Sequence, residues 1–195
     1  ADDFGFEEYV KRPVSFYWTS PNDNEGHFRP VAYSTKYFLY DAFGENPAGL
    51  HWINFILHIA NCALLFFILR RVLQRIAENS TFIPLLLTIL FQIHPSSVQN
   101  VLWVSGFSDL FSLFWFLLSF LMLLHRPGDK NQSKIQAMVY WLLLTLSFLS
   151  KESALAFPIV LVIVHYMVFL CFGEKILSRR HMLIGVSTAL GVSAL

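Results

Sequence analysis

The sequence predicts an all-α fold, a polytopic bundle of transmembrane helices, and three observations lead there. Of the 195 residues 55% are hydrophobic and 14% charged, too apolar a balance for an ordinary water-soluble domain. The apolar residues come in long runs, and two of these carry no charge over the roughly 20 residues a helix needs to cross a hydrocarbon core of about 30 Å. Charge is segregated: eight of the thirteen acids precede residue 46, whereas the bases cluster farther on in short loops, so the net charge of +1 hides two unlike ends. A disordered or fibrous chain is excluded. The overall balance says nothing for nucleic acid, and none is expected as a partner. Cys62 and Cys171 lie inside apolar stretches without a CxxC pattern and read as packing residues.

Residues 1–49 are expected outside the membrane as a first loop with amphipathic helices. The loop alternates acids with aromatics such as Phe4, Tyr9, Trp18, Tyr33 and Phe38, which suit the headgroup layer, and Val31 to Phe43 reads as one amphipathic helix. Residues 50–195 form the transmembrane module, with helices over about 50–73, 81–94, 107–125, 137–150, 153–173 and 181–195. Leu50 to Leu69 and Ser153 to Gly173 are the uncharged spans, and Phe107 to Leu124 carries one acid, Asp109. Thr81 to Ile93 and Ala137 to Ser150 are shorter and are expected to tilt, extend or pack against neighbours. The last run, Met182 to Leu195, reads as a span cut short. Arg70, Arg71, Arg75, Arg126, Lys130, Lys134, Lys175, Arg179 and Arg180 fall on one side of the alternation, which should be cytoplasmic. The sequons at Asn79 and Asn131 fall on that side and read as accidental. The abrupt start at Ala1 and the apolar stop predict a fragment of a longer protein with a helix before Ala1.

The residues able to do chemistry collect on the opposite side. Asp2 and Asp3 form a carboxylate pair in which one could act as a general base and the other position it or bind a cation; capping or solvation is the alternative. In Gly26-His27-Phe28-Arg29-Pro30 the Arg29 fork could grip a phosphate, or else pair with lipid headgroups, Asp23 or Glu25. His51, Asn54, His58 and Asn61 recur at spacings of three, four and three, which places them on one helix face. Polar groups there belong against protein or a water-filled cavity, with interhelical hydrogen bonds as the alternative to a site and His51 nearest a reacting group. The semipolar link from His94 to Gly106 suggests irregular backbone at a site mouth. Asp109 either pairs with a cation from another element or caps its helix. Lys151 and Glu152 break the positive-inside trend, so Lys151 could neutralise a lipid-linked phosphate with Glu152 positioning it, or snorkel beside a counterion.

In this order the pieces resemble the membrane part of the GT-C glycosyltransferases, in particular the protein O-mannosyltransferase-like proteins that carry tetratricopeptide repeats. Asp2-Asp3 resembles the acidic pair of their first extracytoplasmic loop, and His27-Phe28-Arg29-Pro30-Val31 its His/Tyr-Arg-Pro-Leu element. The run Phe43-Gly44-Glu45-Asn46-Pro47 through His51, Asn54, His58 and Asn61 is similar to the Phe-Gly-x-Asn-Pro-x-x-x-His-x-x-Asn-x-x-x-His-x-x-Asn entry to their second span. His94-Pro95 through Trp103-Val104 and Asp109 looks like their second extracytoplasmic loop, and Ser150-Lys151-Glu152 like a later Ser/Cys-Lys-Glu link. Ser97 and Gln99 depart from the pattern, where many relatives carry His and Glu.

The resemblance implies transfer of a sugar, with inversion, from a polyprenyl-phosphate carrier to a protein or glycan hydroxyl on the extracytoplasmic face of a bilayer. Asp2 or Asp3 would deprotonate the acceptor, Arg29 and Lys151 would bind the donor phosphate, and His27, His51, Asn54, His94, Asp109 and Glu152 would line the site. The resemblance fixes no cofactor, and a divalent metal is an open option. The sequence reading places the protein in a bacterial inner membrane with a periplasmic site ahead of an endoplasmic reticulum membrane with a lumenal one. Other classes are a transporter or flippase segment, and a catalytically silent membrane scaffold.

Overall fold

A computed structural model describes residues 12–19, 28–44, 47–74, 81–124 and 130–172, and among these all regular structure is helical. Asp2, Asp3 and His27, and the span expected over 181–195, lie outside the described residues. The α-helices are α1 (Phe16–Thr19), α2 (Pro30–Phe43), α3 (Pro47–Leu73), α4 (Phe82–Ile93), α5 (Pro95–Leu102), α6 (Phe107–Leu124), α7 (Lys130–Phe148) and α8 (Phe157–Phe172). Short 3-10 turns, Val104–Gly106 and Glu152–Ala156, precede α6 and α8.

Proline sets several of these starts. Pro30, Pro47 and Pro95 each open a helix, where the missing N–H is no loss and the fixed φ is already helical. Gly44 ends α2 at φ 61°, in the left-handed region open to glycine, and its N–H bonds the Tyr40 carbonyl at 2.7 Å. Pro95 also interrupts what would otherwise run on from α4, and α4 and α5 meet at a bend of 54°. The link from His94 to Gly106 is therefore mostly helical, where irregular backbone was expected: its polar residues occupy a short helix, α5, instead of an open loop.

Among the described residues two helices are long and apolar enough to cross a membrane, Ala48–Leu73 and Val104–Leu124, or three if the bent α4–α5 pair is one span. At 1.5 Å per residue the 26 residues of the first extend about 39 Å, enough to span with tilt. The fold is an all-α bundle of membrane-crossing helices. Arg70 and Arg71 sit in the last turn of α3, where the helix dipole favours cations.

Interhelical hydrogen bonds and ring contacts tie the bundle together. Asn54 Nδ2 donates to the Trp103 carbonyl at 2.7 Å and Asn61 Nδ2 to the Leu110 carbonyl at 2.9 Å. Both bonds span 49 positions, so α3 and the segment leading into α6 run parallel in constant register. The chain returns between them through α4, whose Phe91 ring lies 6.0 Å from that of His58. Between α6 and α7 the serines 112 and 147 exchange bonds, Ser112 Oγ to the Ser147 carbonyl at 3.1 Å and Ser147 Oγ to the Ser112 carbonyl at 2.8 Å. Gln136 donates to the Met122 carbonyl farther along, which makes this pair antiparallel. Small hydroxyl residues let the backbones approach and satisfy polar groups that lipid cannot.

The core joins Ile68 and Val72 of α3, Phe116, Leu117, Phe120 and Leu124 of α6, and Tyr140, Leu144 and Phe148 of α7. Phe157, at the start of α8, stacks on Phe116 with centroids 4.3 Å apart. That contact fixes the turn carrying Lys151 and Glu152 over the α6–α7 pair.

Candidate functional site

The charged residues meet at the end of the bundle where α2 begins, α6 begins and α7 ends. Pro30 leaves Arg29 as the last residue before α2, and the Val31 N–H bonds the Leu149 carbonyl at 3.1 Å, which moors this segment to the end of α7. The Tyr33 N–H bonds the Arg29 carbonyl at 3.0 Å, so the arginine backbone is held within the first turn. Its guanidinium then engages Glu152 with two nitrogens: Nε lies 2.7 Å from Oε2, and Nη2 bonds Oε1. Lys151 Nζ lies 2.5 Å from Asp109 Oδ1. Asp109 stands in the first turn of α6, a favourable place for an acid, and its partner is a cation from another element.

Burial pulls the Arg29 guanidinium toward neutrality, but the hydrogen bonds and charge of Glu152, with smaller help from Tyr33 and Asp109, outweigh it and raise its pKa. The arginine is thus held more firmly protonated than a free one. Because Asp109 also acts on Arg29, the two ion pairs share one electrostatic neighbourhood. Arg29 was expected to have Asp23, Glu25 or headgroups as its ordinary partners; the structure gives it Glu152, 123 positions away.

Lys36 was not singled out by the sequence reading. It lies in α2 with 5% of its surface exposed, and its Nζ is 5.9 Å from the ring centres of both Tyr33 and Phe107, within cation–π range. The available signal was a lone base within the aromatic stretch of α2, one turn after Tyr33. Lys36, Leu39, Leu50, Asn54, Val104 and Phe107 enclose a cavity of about 10 Å³, room for no more than one water and far too little for a sugar.

A larger space opens on the other side of α3. Ala48, His51, Trp52, Phe55, Val101 and Leu102 line an open, mainly apolar groove of about 600 Å³, within the range of small-molecule sites. The stripe read on α3 divides accordingly: Asn54, His58 and Asn61 are buried against neighbouring helices, while His51, one turn nearer the helix start, is exposed in the groove. His94 is exposed and its Nδ1 accepts the Ser96 N–H at 3.3 Å, which caps α5. Among the described residues no group of three or more His, Cys, Asp or Glu side chains could hold a metal ion.

Fold and charged end together define a membrane-embedded helical module with cations and carboxylates from distant segments joined at one end. Sequence comparison then supplies relatives of a single kind. The protein O-mannosyl-transferase TMTC4 of Homo sapiens is 29% identical over 138 residues, 65% of this chain and 18% of its own length. Protein O-mannosyl-transferase Tmtc1 of Drosophila melanogaster is 28% identical over 142 residues, 71% of this chain and 16% of its own, and TMTC4 of Mus musculus 30% over 141 residues. The resemblance to protein O-mannosyltransferase-like membrane proteins is borne out: the curated homologues are protein O-mannosyl-transferases. The chain spans less than a fifth of the length of these relatives. No family model and no solved structure matches the chain.

Proposed function

We propose that this chain is the donor-phosphate end of a membrane glycosyltransferase that moves mannose from a polyprenyl-phosphate carrier to a hydroxyl of a protein. The observation that carries the reading is the meeting of Arg29 and Lys151, far apart in sequence, at one end of the bundle. Cations fixed beside the leaving phosphate stabilise the negative charge that grows on it as the glycosidic bond breaks. The acceptor hydroxyl would attack the anomeric carbon from the opposite side, with inversion, and Asp2 or Asp3 would take its proton.

The orientation rule puts this end on the extracytoplasmic side. Since the relatives are animal proteins, the endoplasmic reticulum membrane with a lumenal site is favoured over the bacterial arrangement. The relatives also carry transferase names, so a transporter is not proposed.

The test is a transfer assay on the full-length parent in membranes, following mannose from polyprenyl-phosphate mannose to protein. Asp2→Asn or Asp3→Asn is expected to lower transfer at least about 100-fold at equal protein level, the contribution of a general base. Absence of any donor consumption by the wild type, or full activity in both variants, returns the chain to the silent-scaffold class.

A further inference from the structure

Each cation assigned to the donor phosphate is already held by a carboxylate of this chain. Arg29 offers Nε and Nη2 to the two oxygens of Glu152, the paired arrangement that a phosphate would also use. Lys151 holds Asp109. Two positive and two negative charges make this cluster neutral, so it exerts little net attraction on a phosphodiester anion. A phosphate that is to use the fork has to remove what fills it.

We propose that the Arg29 fork is an exchangeable anion site whose resting occupant is Glu152, and that the phosphodiester of a lipid-linked sugar binds by displacing that carboxylate. The proposal rests on the reading of this end as the donor-phosphate site.

The geometry separates the partner that stays from the one that leaves. Arg29 is anchored through its own carbonyl and the next N–H, and only 16% of its side chain is exposed. Glu152 has 45% of its side chain exposed, more than the 34% of Asp109. Glu152 also opens a 3-10 turn in which no side-chain cap is made, and follows Lys151 in extended backbone at φ −160° and ψ 138°. Its carboxylate can therefore turn into water while the turn remains packed through buried Ala154 and the Phe157–Phe116 stack. Asp109 remains on α6 as the counterion of Lys151.

Charge stays balanced through the exchange. With Glu152 in water, Arg29 and Lys151 face Asp109 and one phosphodiester charge. After transfer the carrier leaves as a phosphate monoester, and the returning Glu152 competes with it for Arg29. Glu152 would thus set both the affinity for donor and the ease of product release.

The experiment uses the full-length parent in membranes, with polyprenyl-phosphate mannose as varied substrate and polyprenyl phosphate as inhibitor. Glu152→Gln keeps the shape and removes the charge; donor KM and the inhibition constant of polyprenyl phosphate are each expected to fall about 3- to 10-fold, as one charge-assisted contact is relieved. Arg29→Gln is expected to raise both, and in the double variant the Glu152 change should have no further effect, because it acts through Arg29. If Glu152→Gln leaves both constants unchanged or raises them, while Arg29→Gln does weaken the donor, Glu152 is a fixed brace and the exchange is refuted. If Arg29→Gln alters neither constant, the phosphate reading itself falls. Should Glu152→Gln accumulate poorly, Glu152→Asp, which withdraws the charge by one methylene, should shift both constants the same way by less, and no shift overturns the proposal.

Discussion

Asn54 and Asn61 look equivalent in sequence, yet their surroundings predict unequal consequences of losing them. Asn61 is fully buried, gives its Nδ2 to Leu110, and leaves its Oδ1 without a partner. Asn61→Leu thus removes one hydrogen bond together with one unsatisfied acceptor, and the two changes oppose each other. A loss below about 0.6 kcal/mol, the average for interhelical bonds in membranes, is expected. Asn54 makes the shorter bond, to Trp103 where the chain turns into α6, and also walls the Lys36 cavity. Asn54→Leu is expected to cost about 1–2 kcal/mol. Thermal unfolding of the purified full-length variants checks the order, and equal shifts would contradict it. At this scale the three-four-three spacing made the polar stripe readable, with interhelical hydrogen bonding as one of its two open roles, and Asn61 makes such a bond. The pairing of Arg29 with Glu152 was not, because nothing local in the sequence reports a contact across 123 positions. Lys36 was missed for a related reason: its burial depends on Phe107, which belongs to another helix.

Among the elements, the turn before α6 depends on one missing side chain. A Cβ added to Gly106 would lie 2.8 Å from the Asn100 Cα and 2.9 Å from its carbonyl carbon, both backbone atoms that cannot swing aside. Gly106→Ala is expected to push α5 away from the start of α6 and to destabilise by about 1–3 kcal/mol, the usual range for overpacking. The same thermal measurement applies, and a neutral result would mean that α5 is loosely attached. The extent of α2 was legible to within a residue, since the stretch read from Val31 to Phe43 forms a helix that Pro30 opens. The helical state of Pro95 to Leu102 was not, since its serines, Gln99 and Asn100 read as loop residues until packing against α3 is known.

For the whole molecule, alternation of runs and bases predicts that the ends of the bundle face different compartments. Cysteine introduced at the exposed Ser153, beside the charged cluster, should react with a membrane-impermeant thiol reagent from the extracytoplasmic side in sealed vesicles. Cysteine at the exposed Arg71 should react only from the other side. Labelling of both from one side would overturn the topology. The all-helical class was legible from run length and the lack of charge alone, since the bilayer demands internally satisfied backbone. Which runs lie side by side was not legible, because apolar surfaces are interchangeable and the choice rests on a few polar contacts. The two asparagine bonds between α3 and α6 carry an evolutionary corollary of their own. Each amide grips a main-chain carbonyl, which every amino acid supplies, so the contact ignores the side chains at 103 and 110. Among diverging relatives, position 61 should stay fixed while 110 drifts without compensating change, leaving that contact nearly invisible to methods that find neighbours by correlated substitution.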